Sequence, residues 1–193
     1  MKKTLPLLLF MLLSGLGCVG TEEVTGPVSV QAPVPQDVRT ALIRAAPMQP
    51  GALKNVQKLD DAPVLFAREL RDVLAPRHPN WRVTLADAQG AAPDADLVIA
   101  TELLEIDGGS AAMRSWIGFG ADAIVSRAKV SMQDRAGRVL AATEISQRTT
   151  CPTGGCDNEN EALVRENLKL LAASAAGFVS NPAEYKKAKG SGR

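Results

Sequence analysis

The stretch DLVIATELLEI, residues 96–106, decides the fold. Its apolar residues fall on both parities, so it reads as a central strand covered on each face. Downstream, AIVSRAKVSMQ (123–133) sets Ile124, Ala128, Val130 and Met132 on one side and Arg127, Lys129, Ser131 and Gln133 on the other. That alternation is the mark of a strand with one wet face. DRAG at 134–137 reverses the chain, with Gly137 suited to a positive φ, and RVLAATEIS (138–146) returns as the partner strand. Upstream, WRVTLAD (81–87) alternates Trp81, Val83 and Leu85 against Arg82 and Thr84, which gives a fourth strand.

Helices flank these strands. From Asp60, the residues Val64, Leu65, Leu70, Val73 and Leu74 form an apolar stripe opposite Arg68, Glu69, Arg71 and Asp72, and Pro76 ends it. A closing helix starts at a capping-box spacing, Asn158 and Glu161, and buries Leu163, Leu168, Leu171, Ala175 and Phe178. Residues 37–59 stay open: Val38, Leu42 and Ile43 have helical spacing, yet Pro47 and Pro50 stop any helix soon after. The element order predicts an α+β fold, a two-layer α/β sandwich whose mainly antiparallel sheet of about four strands is packed by two helices.

The chain opens with MKKTLPLLLFMLLSGLGC: two lysines, an apolar run from Leu5 to Leu16, and small residues before Cys18. A bilayer span needs about 20 apolar residues, so the run reads as a secretory signal. Gly15, Leu16, Gly17 and Cys18 resemble the lipobox of bacterial lipoproteins, which implies cleavage before Cys18 and acyl chains on it. Several chains together make a durable anchor, each buried methylene contributing about 0.8 kcal/mol. Val19 stands where an aspartate would retain an enterobacterial lipoprotein at the inner membrane, so the expected address is the outer membrane, facing the periplasm. The expected organisation is a signal peptide (1–17), a lipidated N-terminus with a Pro-rich tether (18–36), one α+β domain (37–181) and a basic disordered tail (182–193). Within the tether, Val28 and Val30 alternate and could instead form an edge strand.

Cleavage takes Lys2 and Lys3 from the 22 basic side chains and leaves 20 against 21 acidic ones. Near-neutral charge argues against a nucleic-acid partner, which calls for a basic stripe. With Cys18 lipidated, Cys151 and Cys156 remain as an even pair in an oxidising compartment, and CPTGGC has the turn residues to close a structural disulfide. A zinc site would need further ligands, and the one histidine, His78, lies far away between Arg77 and Pro79. No metal and no cofactor is expected.

Between the central strand and the hairpin lie fifteen residues, GGSAAMRSWIGFGAD (108–122). Ser110 can cap a short helix on which Met113, Trp116 and Ile117 share a face, and Gly118 can end it. A nucleotide loop would require strand, glycines, then helix, whereas a strand follows here. Met113, Arg114, Trp116, Ile117 and Phe119 are therefore the interaction candidates, with closure of the core by Trp116 and Phe119 as the plainer reading. Arg114, Gly118, Phe119, Gly120 and Ala121, followed by a strand and a D-x-x-G turn, resemble the signature of an uncharacterised bacterial lipoprotein family, a domain of unknown function. The resemblance spans roughly residues 60–180 in element order and implies a lipobox, an RxxxGFGAG-like loop and a closing helix. Asp122 replaces the usual third glycine of that loop. A fainter likeness in element order is to the curli-secretion lipoprotein.

The sequence holds no GxSxG or HExxH motif and no cysteine with a histidine partner. Glu102, Glu105 and Asp107 read as structural charges, with Arg114 as the candidate partner of Glu102. The expectation is a non-catalytic, lipid-anchored envelope module that binds or scaffolds an envelope complex. The alternative is a self-assembling lipoprotein that uses segment 110–121 for oligomerisation or membrane contact.

Overall fold

The computed structural model describes residues 19–23, 26–56, 59–86, 94–109, 123–150 and 160–185. In chain order these contain β1 (Val19–Glu23), β2 (Ser29–Val30), β3 (Thr40–Ala45), β4 (Leu53–Lys54), α1 (Ala62–Arg77) and β5 (Arg82–Leu85). There follow β6 (Leu97–Asp107), β7 (Ile124–Asp134), β8 (Val139–Thr150) and α2 (Asn160–Ser180).

All eight strands join one sheet of order β1-β8-β7-β6-β3-β5, with β2 also on β8 and β4 also on β6. The expectation of about four strands in a mainly antiparallel sheet is thus corrected. One half of the sheet is antiparallel, from β1 and β2 through β8 and β7 to β6. The other half is parallel: β3 runs alongside both β5 and β6, and β4 alongside β6. The parallel half exists because α1 carries the chain back between β3 and β5, a crossover that a short turn could not provide. The α+β class and the two-helix layer stand, since α1 and α2 touch each other and both pack on strands.

β3 comes from the segment left open between helix and strand. Ala41, Leu42 and Ile43 are consecutive and fully buried, so β3 is covered on both faces, as a parallel central strand is. β6 is not. Leu97, Ile99, Thr101 and Leu103 face the helices and are buried, whereas Val98, Ala100 and Glu102 are only half-buried. The register with β7 then jumps from Leu103↔Ala128 to Glu105↔Arg127, leaving Leu104 as an extra residue. This bulge returns Ile106 to the core and turns Glu105 to the wet face. The apolar residues on both parities thus have two sources: Val98 and Ala100 lie half-buried on the second face, and Ile106 is returned to the core by the bulge.

α1 buries Ala62, Phe66, Ala67, Leu70 and Leu74, while Val64, expected on the buried stripe, is 50% exposed. Pro63 occupies the first turn, where no N–H partner is lost, and Pro76 lies in the last turn instead of ending the helix before it. α2 buries Val164, Leu168, Leu171, Phe178 and Val179, with Ala172, Ala175 and Ala176 letting it approach its neighbours closely. Burial of each large apolar side chain contributes about 1.5–3 kcal/mol, so these two stripes supply much of the drive for the layer. The β7–β8 turn is tied by Asp134 Oδ1, which accepts from the N–H groups of Ala136 and Arg138, and Gly137 takes a φ of 79°.

The ends are more structured than expected. β1 and β2 lie within the stretch read as a tether, and Gln31 and Ala32 both donate to the Leu140 carbonyl. At the other end, residues 182–185 form a helical turn, and Tyr185 sets its ring edge-on to Phe178 with centroids 5.7 Å apart.

Candidate interaction surface

The residues singled out from the sequence, Cys18, Met113, Arg114, Trp116, Ile117, Phe119, Cys151 and Cys156, lie outside the described residues, as does Asn158. What the structure does bring together is the sheet face turned away from the helices. Across β6, β7 and β8, Lys129 stands in register between Glu102 and Glu144. Opposite charges directly across a ladder stabilise the pairing, and this arrangement gives Glu102 a basic neighbour without Arg114.

One step along, the bulge places Glu105 between two cations. Lys54 Nζ donates to Glu105 Oε1 at 2.6 Å, and Arg127 Nη2 lies 3.5 Å from Oε2. The carboxylate raises the Lys54 pKa above its ordinary 10.5, through the hydrogen bond first and the charge second. Asp107 is occupied as well, accepting from Asn55 Nδ2 and the Gly109 N–H, both at 2.9 Å. Of the three carboxylates of β6, Glu105 is paired with two cations, Glu102 stands opposite Lys129 across the ladder, and Asp107 is held by neutral donors. Among the described residues no three His, Cys, Asp or Glu side chains gather as a metal site, and no helix is long and apolar enough to cross a membrane.

Two features of the rim went unread in the sequence. Asp96 Oδ2 accepts from the Arg39 N–H, the Thr40 N–H and Thr40 Oγ1 at 3.0, 2.9 and 2.9 Å, which clips the start of β3 to the start of β6. These bonds hold its carboxyl below the ordinary 3.8. Near β5, His78 stacks on Trp81, and its Nε2 lies 2.9 Å from Ser180 Oγ at the end of α2. Beside the N-terminus of α1, a shallow groove is lined by Met48, Pro50, Leu53, Pro63 and Val64, with Asp60 its one charged residue.

The sheet ends in two edges, β1 and β5, neither of which has a second strand neighbour among the described residues. In β5, Arg82 and Ala86 donate to the carbonyls of Arg39 and Ile43 on β3. By the two-residue period of a strand, Val83 and Leu85 then aim their N–H and C=O groups outward.

The model of a family described as a domain of unknown function, DUF4410, matches residues 35–151. The chain belongs to the DUF4410 family. The match takes in β3 through β8 and the loop whose glycines carry the resemblance noted above. No curated protein sequence matches this DUF4410 chain. Among solved structures it is similar to the PelC dodecamer from Paraburkholderia phytofirmans, with 14% identity and a TM-score of 0.51 over 81% of this chain and 94% of that one. A minor lipoprotein from Acinetobacter baumannii aligns at 15% identity and a TM-score of 0.34 over 75% of this chain and 94% of that one. At 14% identity the likeness to PelC is one of fold.

Proposed function

We propose that the chain is a lipid-anchored, non-catalytic module of the bacterial cell envelope that works as a subunit in an assembly of its own copies. The observation that carries this reading is the sheet, on which both helices pack and whose edge strands β1 and β5 have no second strand neighbour among the described residues. The same fold in PelC builds a dodecamer, which favours self-association over recruitment of an unrelated protein. Glu105 and Asp107 on β6 are engaged by Lys54, Asn55 and the Gly109 N–H, which supports a binding role over acid–base chemistry at these two positions.

The lipid anchor follows from Cys18 and its lipobox, immediately ahead of β1. An anchor at that point holds the start of the sheet against the membrane and orients every copy alike. The test is metabolic labelling with a palmitate analogue: the wild-type chain is expected to take up label in the membrane fraction and Cys18→Ser to lose it. An unlabelled, soluble wild-type chain contradicts the anchor.

A further inference from the structure

We infer that copies of this chain join edge to edge, with β1 of one copy pairing with β5 of the next to extend the sheet from subunit to subunit. The inference rests on the assembly reading and specifies its interface. Strand polarity is the first argument. β1 is antiparallel to β8, β8 to β7 and β7 to β6, whereas β6, β3 and β5 are parallel, so the two edges of one subunit run in opposite directions. A neighbour generated by rotation about an axis along the strands keeps those directions. Its β5 then meets β1 antiparallel, the pairing already used across that half of the sheet.

The edges also match in length. β1 has five residues and β5 four, so neither overhangs the other by more than one. β5 begins at Arg82, whose side chain is exposed and leaves that edge open to a neighbour. The outward N–H groups of Val83 and Leu85 supply the main-chain donors that strand addition needs.

A second copy suits this edge better than an extended peptide of another protein. The two different edges of one subunit make a heterologous contact, which propagates and closes into a ring when the rotation allows. Rotation about a single axis also keeps the start of every β1, and so every Cys18, on one side, as a membrane-bound assembly requires. Pairing of β5 with a second β5 would instead stop at a dimer and leave β1 unused.

The experiment uses the full-length chain in its membrane, with a photocrosslinking amino acid at position Arg82, together with Val83→Pro, which removes an outward N–H that β3 does not use. Proline is tolerated on an edge strand whose N–H faces away from the sheet. Adducts from position 82 into residues 19–23 of another copy, with Val83→Pro reduced to single-subunit mass at unchanged melting temperature, are the expected result. If Val83→Pro does not fold, the crosslink decides. A multimeric wild type whose adducts fall only elsewhere, or on β5 of another copy, overturns the edge pairing and leaves the assembly reading intact. A wild type of single-subunit mass overturns both.

Discussion

His78 lies flat against Trp81, with ring centroids 3.8 Å apart and planes 14° from parallel. Through Ser180 the same imidazole also reaches α2, so one residue just past the end of α1 ties together α1, the approach to β5 and the last turn of α2.

Burial first, and the neighbouring Arg77 charge second, hold the His78 pKa below its ordinary 6.5. The folded chain therefore binds fewer protons there than the unfolded one. This contribution to stability is fully present above the unfolded pKa of 6.5 and is lost as pH falls through the lower folded value. Denaturation midpoints measured from about pH 8 down to about pH 5 should fall in the wild type and fall less in His78→Gln.

Asp96 follows the same sign at lower pH. Its carboxyl is held below 3.8 by the N–H groups of Arg39 and Thr40, so its contribution is present above that value and lost as pH falls through the folded pKa. Asp96→Ala should lower the melting temperature at neutral pH and flatten the acid limb of the stability curve, as thermal melts across the acid range would show.

Asn167 is fully buried on α2, and its Nδ2 donates to Thr149 Oγ1 at 2.7 Å and to the Gln147 carbonyl at 3.2 Å. Asn167→Leu strands those acceptors and should destabilise the fold by about 1–3 kcal/mol. The shift is read from the urea midpoint at constant slope.

The phase of α1 is testable by a pair of substitutions. Phe66 is fully buried, so Phe66→Ala should cost about 3–5 kcal/mol by loss of burial and creation of a cavity. Val64 is half exposed, and Val64→Ser should stay within about 0.5 kcal/mol. Equal losses at the two positions would contradict the helix orientation.

The β7–β8 hairpin was legible in the sequence because β7 alternates strictly and an Asp-to-Gly turn follows it, while the bulge that shifts the register between Met132 and Gln133 was not. Other elements were not, each for a physical reason. The Leu104 bulge shifts the parity of β6 midway, and with Val98 and Ala100 half-buried on the second face the pattern imitates a strand covered on both faces. β3 really is covered on both faces, and its run Ala41, Leu42, Ile43 has no alternation to separate strand from helix. The α1 stripe was set out of phase at its start: Phe66 stands four residues before Leu70 and eight before Leu74, whereas Val64, six before Leu70, falls off that face. β1 is an edge addition held by its register with β8, with no pattern of its own, whereas the alternation of Val28 and Val30 did signal the short edge strand β2. The clip at Asp96 joins residues 56 positions apart, a separation across which single-sequence reading carries no signal.

Native mass spectrometry of the full chain, extracted from membranes in mild detergent, tests the proposed lipid-anchored multimer most directly. A lipid-modified species at a fixed multiple of the subunit mass is the expected result. A single lipid-modified subunit at every concentration would contradict it.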